Sequence, residues 1–370
     1  MSSVPLVDIA AQQAEIIDEI RPEIDRILTT GAFIGGPNVA AFERDFAALI
    51  GVQHCIGVAN GTDALEIALR AAGIGAGDEV ILPANTFIAT AEAVSRVGAT
   101  VVLVDIDEDT MLIDPSLVPA AITERTKAIA PVHLYGQAAP VEQIVTLDRP
   151  DGSIVLEDAA QSQGATRFGI PAGSLGDIAA TSFYPGKNLG AAGDAGAVMT
   201  NDDELARVSR LLGAHGSSVK YVHDIVGFNS RLDAIQAVVL SAKLRRLEGW
   251  NAVRREAAAR YHELLADFAD VQLPGTLEGN EHVWHIYAVR VPNRDKVLQL
   301  LNEAGIGAGI HYPTPVHLSP AYADLGYGAG DFPISERVAD GLLSLPIYGH
   351  ITAEQQDRVV ESLRTTLNRL

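Results

Sequence analysis

The chain has 370 residues, 48% of them apolar and 20% charged, with a formal net charge of −20. That composition supports a substantial core in one large or two smaller domains, and the charge argues against nucleic acid or an acidic membrane as a partner. A single cysteine, Cys55, excludes intrachain disulfides and cysteine-based metal clusters.

The opening stretch "MSSVPLVDIAAQQAE" has no basic region before an apolar run and does not read as a signal peptide. No window approaches the roughly 18 consecutive apolar residues of a spanning helix. A cytoplasmic protein is the expectation, and any anionic ligand must be held by local cations and helix N-termini.

Apolar residues recur at helical spacing over 15–30 and 38–50. Short apolar runs then alternate with helical patterns. "CIGVA" (55–59) leads into "GTDALEIALRAAG", "EVILP" (79–83) leads into "ANTFIATAEAVSRVG", and "TVVLVDID" (100–107) follows. "AIAPVHL" (128–134), "SIVLEDAA" (153–160) and "AATSFY" (179–184) continue the series. Near-continuous apolar strands between helices predict a mostly parallel, mixed sheet covered on both faces, a three-layer α/β/α domain. Helical patterns at 232–248 and 251–268, strand-like "HVWHIYAVRV" (282–291) and a terminal helix from 352 predict a smaller C-terminal α+β domain. The expected division is 1–248 and 249–370.

Six places along this order can carry chemistry. Asn60-Gly61-Thr62 lies between a strand and a helix, where free N–H groups and the positive end of the helix dipole make an anion site. Thr62 is a natural cap there, although many strand-to-helix turns look the same. Phe87 follows a buried strand and is either core or a platform for a planar ligand. Asp158 ends a predicted central strand, where open α/β sheets bind ligands; it is either a local cap or a charge held opposite a ring nitrogen.

Lys187, in "SFYPGKNLGAAGDAGA", is one of five lysines and the only cation between Phe168 and Ala206. A phosphate loop is excluded, because position 181 is Thr where that motif needs Gly and position 188 is Asn where it needs Ser or Thr. What remains is a desolvated amine able to form a Schiff base, or a surface lysine in a glycine-rich connection. Asn229 and Arg231 precede a long helical pattern, as cap and exposed cation or as a carboxylate clamp. "GIHYPTPVHL" (309–318) places His311, Tyr312 and His317 in a proline-held loop, as substrate contacts or as a plain rigid turn; no cluster stands at metal-ligand spacing.

In their order, "FIGGPNVAAFE", "NGTDALEIALRAAGIGAGDEVILPANTFIAT", "EDAAQSQGA", "SFYPGKNLGAAGDAGAV" and "GFNSRLDAIQA" resemble the DegT-type nucleotide-sugar aminotransferases, pyridoxal 5'-phosphate enzymes of the aspartate aminotransferase fold. The resemblance covers nearly the whole chain. It implies that Lys187 forms the Schiff base with the cofactor aldehyde and then acts as general acid and base. Asp158 would pair with the pyridine nitrogen, Gln161 would bond the ring hydroxyl, and Phe87 would stack on the ring. Gly61, Thr62 and Ser182 would hold the phosphate. The family's counterpart of Asn229 reaches the phosphate from a neighbouring subunit, so the resemblance implies a homodimer with shared active sites. Arg231 would receive the carboxylate of L-glutamate, the amino donor, and Tyr184, Lys220, Tyr221, His311 and Tyr312 would contact the sugar or nucleotide.

"NSRLDAIQA" after "KYVHDIVG" is more similar to members that aminate a 3-keto sugar than to those acting at C4. A dTDP-3-keto-6-deoxyhexose, aminated at C3, is the expected acceptor. A C4 reaction, a UDP-linked 3-keto sugar acid and a non-catalytic sugar-binding or regulatory relative are the alternatives. A dehydratase of the same fold would carry histidine at 187, a cysteine desulfurase would need a reactive cysteine, and a nicotinamide-binding dehydrogenase would show G-x-G-x-x-G after an early strand.

Overall fold

A computed structural model describes residues 3–370. The chain begins with helices α1 (Ile9–Ala14), α2 (Ile17–Thr30) and α3 (Pro37–Ile50). Proline opens α3, where its missing N–H costs nothing, and Gly51, at φ 75°, closes it. The alternation then runs β1 (His54–Val58), α4 (Gly61–Ala71), β2 (Glu79–Pro83), α5 (Ile88–Arg96) and β3 (Thr100–Val104). It continues through β4 (Thr126–Ile129), β5 (Ile154–Asp158), β6 (Ile178–Ser182) and β7 (Gly196–Thr200) to α6 (Asp203–Gly213).

These seven strands form one sheet in the order β1-β7-β6-β5-β4-β2-β3. Strand β7 is antiparallel to both neighbours, and every other pairing is parallel. The sheet is therefore mixed, as expected. Strands β2 and β7 are buried along their whole length, which is why, Glu79 apart, their sequences read as apolar or small runs.

Helices α7 (Ala234–Leu244) and α8 (Leu247–Leu265) follow, then β8 (Tyr287–Arg290), α9 (Arg294–Glu303), β9 (Leu342–Leu345) and α10 (Ala353–Leu367). Strands β8 and β9 pair antiparallel. A second core gathers on them, including Tyr261, Tyr287, Val297, Leu343 and Leu363, together with Val4 from the chain's start. Val4 forms a parallel bridge to Ile306, which ties the segment around it to this second core. The division expected at 248/249 falls inside α8, which runs through it without a break.

The strand expected over 282–291 is shortened to β8. His282 stacks on Trp284 at 3.8 Å, and Trp284 takes a positive φ of 47°. The strand-like residues suggested one extended run; this local stack breaks it, and His285 beyond it is buried. None of the described helices is long and apolar enough to cross a membrane.

Candidate functional site

The lone lysine sits in a folded loop between β6 and β7. Phe183 anchors the loop, packing edge-on against Phe42 and Phe46 of α3 at 5.3 and 5.1 Å. Full burial of such a ring is worth about 1.5–3 kcal/mol, so the loop's start is well fixed. The Lys187 N–H donates to Tyr184 O at 2.8 Å, and the Ala191 N–H to Phe183 O at 2.8 Å. Between them a Cβ on Gly190 would lie 2.3 Å from Pro185 O, so that position must be glycine. The small residues around Lys187 thus serve a tight fold that turns its amine into a cavity of about 700 Å³. Burial pulls the Lys187 pKa down to about 8, with Asp158 pulling the other way.

Asp158 is 5% exposed at the C-terminal end of β5 and lines the same cavity. Its Oδ2 accepts from the Thr90 hydroxyl at 2.7 Å and its Oδ1 from the Ala160 N–H at 3.1 Å. Among the described residues no cation forms an ion pair with it. Its neighbour Glu157 points to the opposite face of β5, as alternation requires. There it accepts from His133 and from the N–H groups of Gly173, Leu175 and Gly176, and it serves the core. Gln161 is held at both ends of its amide: Oε1 accepts from the Tyr135 N–H at 2.6 Å, and Nε2 donates to Tyr312 OH at 3.0 Å. Tyr312 in turn lies 4.9 Å from Phe87, ring to ring, at the start of α5.

The cradle at α4 forms differently from the expectation. Asn60, not Thr62, is the cap: its side-chain oxygen accepts from the Asp63 N–H at 2.8 Å. Asn60 already satisfies the donors of Asp63 and, through its carbonyl, Ala64. The N–H groups of Gly61 and Thr62 and the Thr62 hydroxyl are left without a partner among the described residues. Gly61 is required here, since a Cβ would meet Ser182 Cβ at 2.6 Å. That close approach brings the Ser182 hydroxyl beside the helix start. Gly61, Thr62 and Ser182 all line the cavity, with Tyr184 and His311.

The sequence profile of the DegT/DnrJ/EryC1/StrS aminotransferase family matches residues 14–364. The chain belongs to this family. A Streptomyces venezuelae relative, a dTDP-3-amino-3,4,6-trideoxy-alpha-D-glucose transaminase, is 45% identical over 99% of this chain and 97% of its own. A Pseudomonas aeruginosa UDP-2-acetamido-2-deoxy-3-oxo-D-glucuronate aminotransferase is 43% identical over 94% and 96%. A Geobacillus stearothermophilus protein described as a pleiotropic regulatory protein is 47% identical over 98% of both chains. The crystal structure of S. venezuelae DesV in complex with ketimine intermediate superposes with a TM-score of 0.97 at 44% identity, covering all of both chains. NtdA of Bacillus subtilis, with bound cofactor PMP, gives 0.90 at 34% identity, covering all of this chain and 86% of that one. This protein is therefore a pyridoxal phosphate-dependent sugar aminotransferase.

The residues of this aminotransferase fit that cofactor on their own geometry. The unpartnered donors at Gly61, Thr62 and Ser182 make a phosphate cradle that needs no basic side chain. Buried Asp158, lacking an ion pair, matches a protonated pyridine nitrogen. Only a neutral amine attacks an aldehyde, and burial shifts Lys187 toward that form. Capture of added pyridoxal phosphate by the cofactor-free aminotransferase should therefore accelerate with pH and level off above about 8. Stopped-flow absorbance measures this; an inflection near 10.5, the ordinary lysine value, would place the amine in water.

Four predicted residues lie outside the aminotransferase's own cavity. Lys220 and Tyr221 join the strands of an exposed hairpin, Ser217–Val219 with Val222–His223, where the Lys220 ammonium sits 5.0 Å from the Tyr221 ring. Asn229 and Arg231 are exposed. Asn229 is not the cap of α7, whose N-cap position is taken by Asp233. His317 is corrected as well: it is buried, bonded to Glu336 at 2.9 Å, and does not line the cavity. Conversely, Leu6, Val7, Ile9, Asp194 and His285 line the cavity and were not singled out. Nothing in "HVWH" distinguishes His285 from a core histidine, and Leu6 reaches the site only because Val4 joins the second core.

Proposed function

We propose that this aminotransferase moves an amino group from L-glutamate to C3 of a nucleotide-linked keto-deoxysugar, a dTDP-3-keto-6-deoxyhexose. The observation that carries the reading is a desolvated lysine and a buried carboxylate without an ion pair in one cavity, beside an anion cradle.

Lys187 Nζ takes a proton from the α-carbon of glutamate in the donor half and delivers one to C3 of the sugar in the acceptor half. Bound pyridoxal phosphate supplies the electron-poor ring that accepts the electrons left at carbon. Asp158 holds its charge against the ring nitrogen, Gln161 aims its amide at the ring hydroxyl, and Phe87 covers one ring face. Gly61, Thr62 and Ser182 hold the phosphate. Tyr184, His311 and Tyr312 bind the sugar. Burial, and then the Lys187 charge, bring the His311 pKa down to about 4, so it acts as a neutral hydrogen-bonding group.

The preference for a deoxysugar rests on the cavity's walls. Leu6, Val7, Ile9, Leu345 and Ile347 give it an apolar side, and no arginine lines it. Cations for the diphosphate and for glutamate's carboxylates come from a second copy of the chain: Lys220 and Arg231, with Tyr221 against the nucleotide and Asn229 on the cofactor phosphate. Exposure supports this dimer. Tyr221 is 81% and Val226 96% exposed, a costly display of apolar surface unless a partner covers it.

The P. aeruginosa relative favours one second reading, a UDP-linked 3-keto sugar acid. Incubation with glutamate and a panel of dTDP- and UDP-linked 3-keto and 4-keto sugars, followed by mass spectrometry, separates the readings. Amination of dTDP-3-keto-6-deoxyhexose is expected; turnover confined to 4-keto sugars or to sugar acids would overturn the assignment. Mixed Asn229→Ala and Lys187→Ala proteins should regain activity that neither shows alone, and no regain would argue against shared sites.

A further inference from the structure

Behind the site lies a second, much smaller cavity of about 10 Å³, the size that admits a single water molecule. Tyr312 lines both cavities, so one wall of the site is also a wall of the small one. The other walls include Asn85, just past β2, with Tyr135, Ser335, Val338 and Leu342. Asn85 is 8% exposed, and one bond orients its amide. Nδ2 lies 2.9 Å from Met111 O, a carbonyl that can only accept, so the NH2 group points there. Met111 does not line the cavity. The other arm of the amide, Oδ1, is therefore the one turned to it. That oxygen is buried, and no described residue bonds it.

Buried polar oxygens in folded proteins are overwhelmingly hydrogen-bonded, because leaving one bare forfeits its hydration. The hydroxyls around this cavity do not supply the missing hydrogen. Ser335 is fully buried and donates to Asp105 Oδ1 at 2.7 Å. The Tyr135 hydroxyl donates to the His311 carbonyl. With their single hydrogens committed, both have only lone pairs left to offer. The Tyr312 hydroxyl is held by Gln161 Nε2 at 3.0 Å and does not bond Asn85. No residue lining the cavity carries a charge, so a metal cation or an anion finds no counterion there. What the walls lack is a small neutral donor.

We propose that this cavity binds one water molecule, which donates one hydrogen to Asn85 Oδ1 and the other to the hydroxyl oxygen of Tyr135 or Ser335. The water joins distant parts of the chain. Asn85 follows a strand of the large sheet, whereas Ser335 and Val338 belong to the helix Pro333–Gly341. It also lies against a residue on which the site depends. The Tyr135 N–H holds Gln161 Oε1 at 2.6 Å, and the Tyr135 hydroxyl holds the backbone of the loop that carries His311 and Tyr312. The water is thus backing for the site and takes no part in the reaction.

None of this depends on the chemistry assigned to Lys187, and the test uses the full chain with its cofactor bound. A crystal structure at a resolution that shows ordered water should contain one peak in the cavity, within about 3.2 Å of Asn85 Oδ1. No peak there, or a peak out of hydrogen-bond reach of that oxygen, overturns the proposal. Asn85→Leu keeps the bulk of the side chain and removes the acceptor, so the peak should vanish. A water that stays would show that Asn85 does not hold it, and the assignment fails. Val338→Ile probes the site from the opposite wall with Asn85 intact. An added methyl stabilises a dry void, whereas here it competes with a bonded water. The melting temperature should therefore fall by about 2 °C. A rise would mean that the cavity is dry, and would overturn the proposal. Should Asn85→Leu fail to fold because Met111 O loses its donor, the wild-type map and Val338→Ile still decide.

Discussion

Lys187→Ala should lose transamination by about 10⁴-fold or more, because one substitution removes both the covalent hold and the proton carrier. The same protein should still bind pyridoxal phosphate, since the cradle at Gly61, Thr62 and Ser182 and the Asp158 carboxylate are untouched. After borohydride and denaturation no cofactor should remain attached, whereas the wild-type chain should keep it. The folded state should suffer little: the Lys187 side chain makes no hydrogen bond to any described residue, and burial already disfavours its charge. Turnover within tenfold of wild type, or cofactor still fixed by borohydride, would show that another amine does the work. The remaining lysines 127, 220, 243 and 296 are the places to look.

Asp158→Asn should separate activity from stability. The amide keeps the shape of the carboxylate and an oxygen for the Thr90 hydroxyl or the Ala160 N–H. It removes the charge that would hold the ring nitrogen protonated. Loss of one preorganised electrostatic partner of this kind typically costs about 10²–10³ in kcat, and that is the drop expected in a glutamate half-reaction followed by absorbance. Yet the cofactor-free protein should melt no lower than wild type. A carboxylate 5% exposed and without an ion pair is a burden on the empty fold, so neutralising it is neutral or favourable. A melting temperature several degrees below wild type, with activity retained, would make Asp158 a structural residue and sink the proposed role.

Much of the fold was legible. Short apolar runs gave six strands of the large sheet, all but β7, and the helical patterns between them gave the helices. Lys187 and Asp158 stood out because a lone cation among small residues and a carboxylate at a strand's end are each open to a chemical reading, whereas Gln161 entered only through the family resemblance. The misreadings share a cause. Thr62 and Asn229 are both sound caps by residue type, but which residue caps a helix depends on where the backbone leaves the extended region, and that lies at Asn60 for α4 and Asp233 for α7. His317 looked like a site residue because it is close to His311 in sequence; a turn between them sends it to Glu336 instead.

By itself, the sequence determined which side chains had chemistry to offer and which elements would carry them, because local periodicity and an isolated charge are properties of neighbouring residues. Only the tertiary structure decided which of those side chains share a cavity. Leu6 shares a cavity with Lys187 because Val4 bridges to Ile306, and Gln163, Asn251, Asn188 and His285 join from separate segments in one run of hydrogen bonds. Such contacts join residues far apart along the chain, and no window of sequence holds both ends.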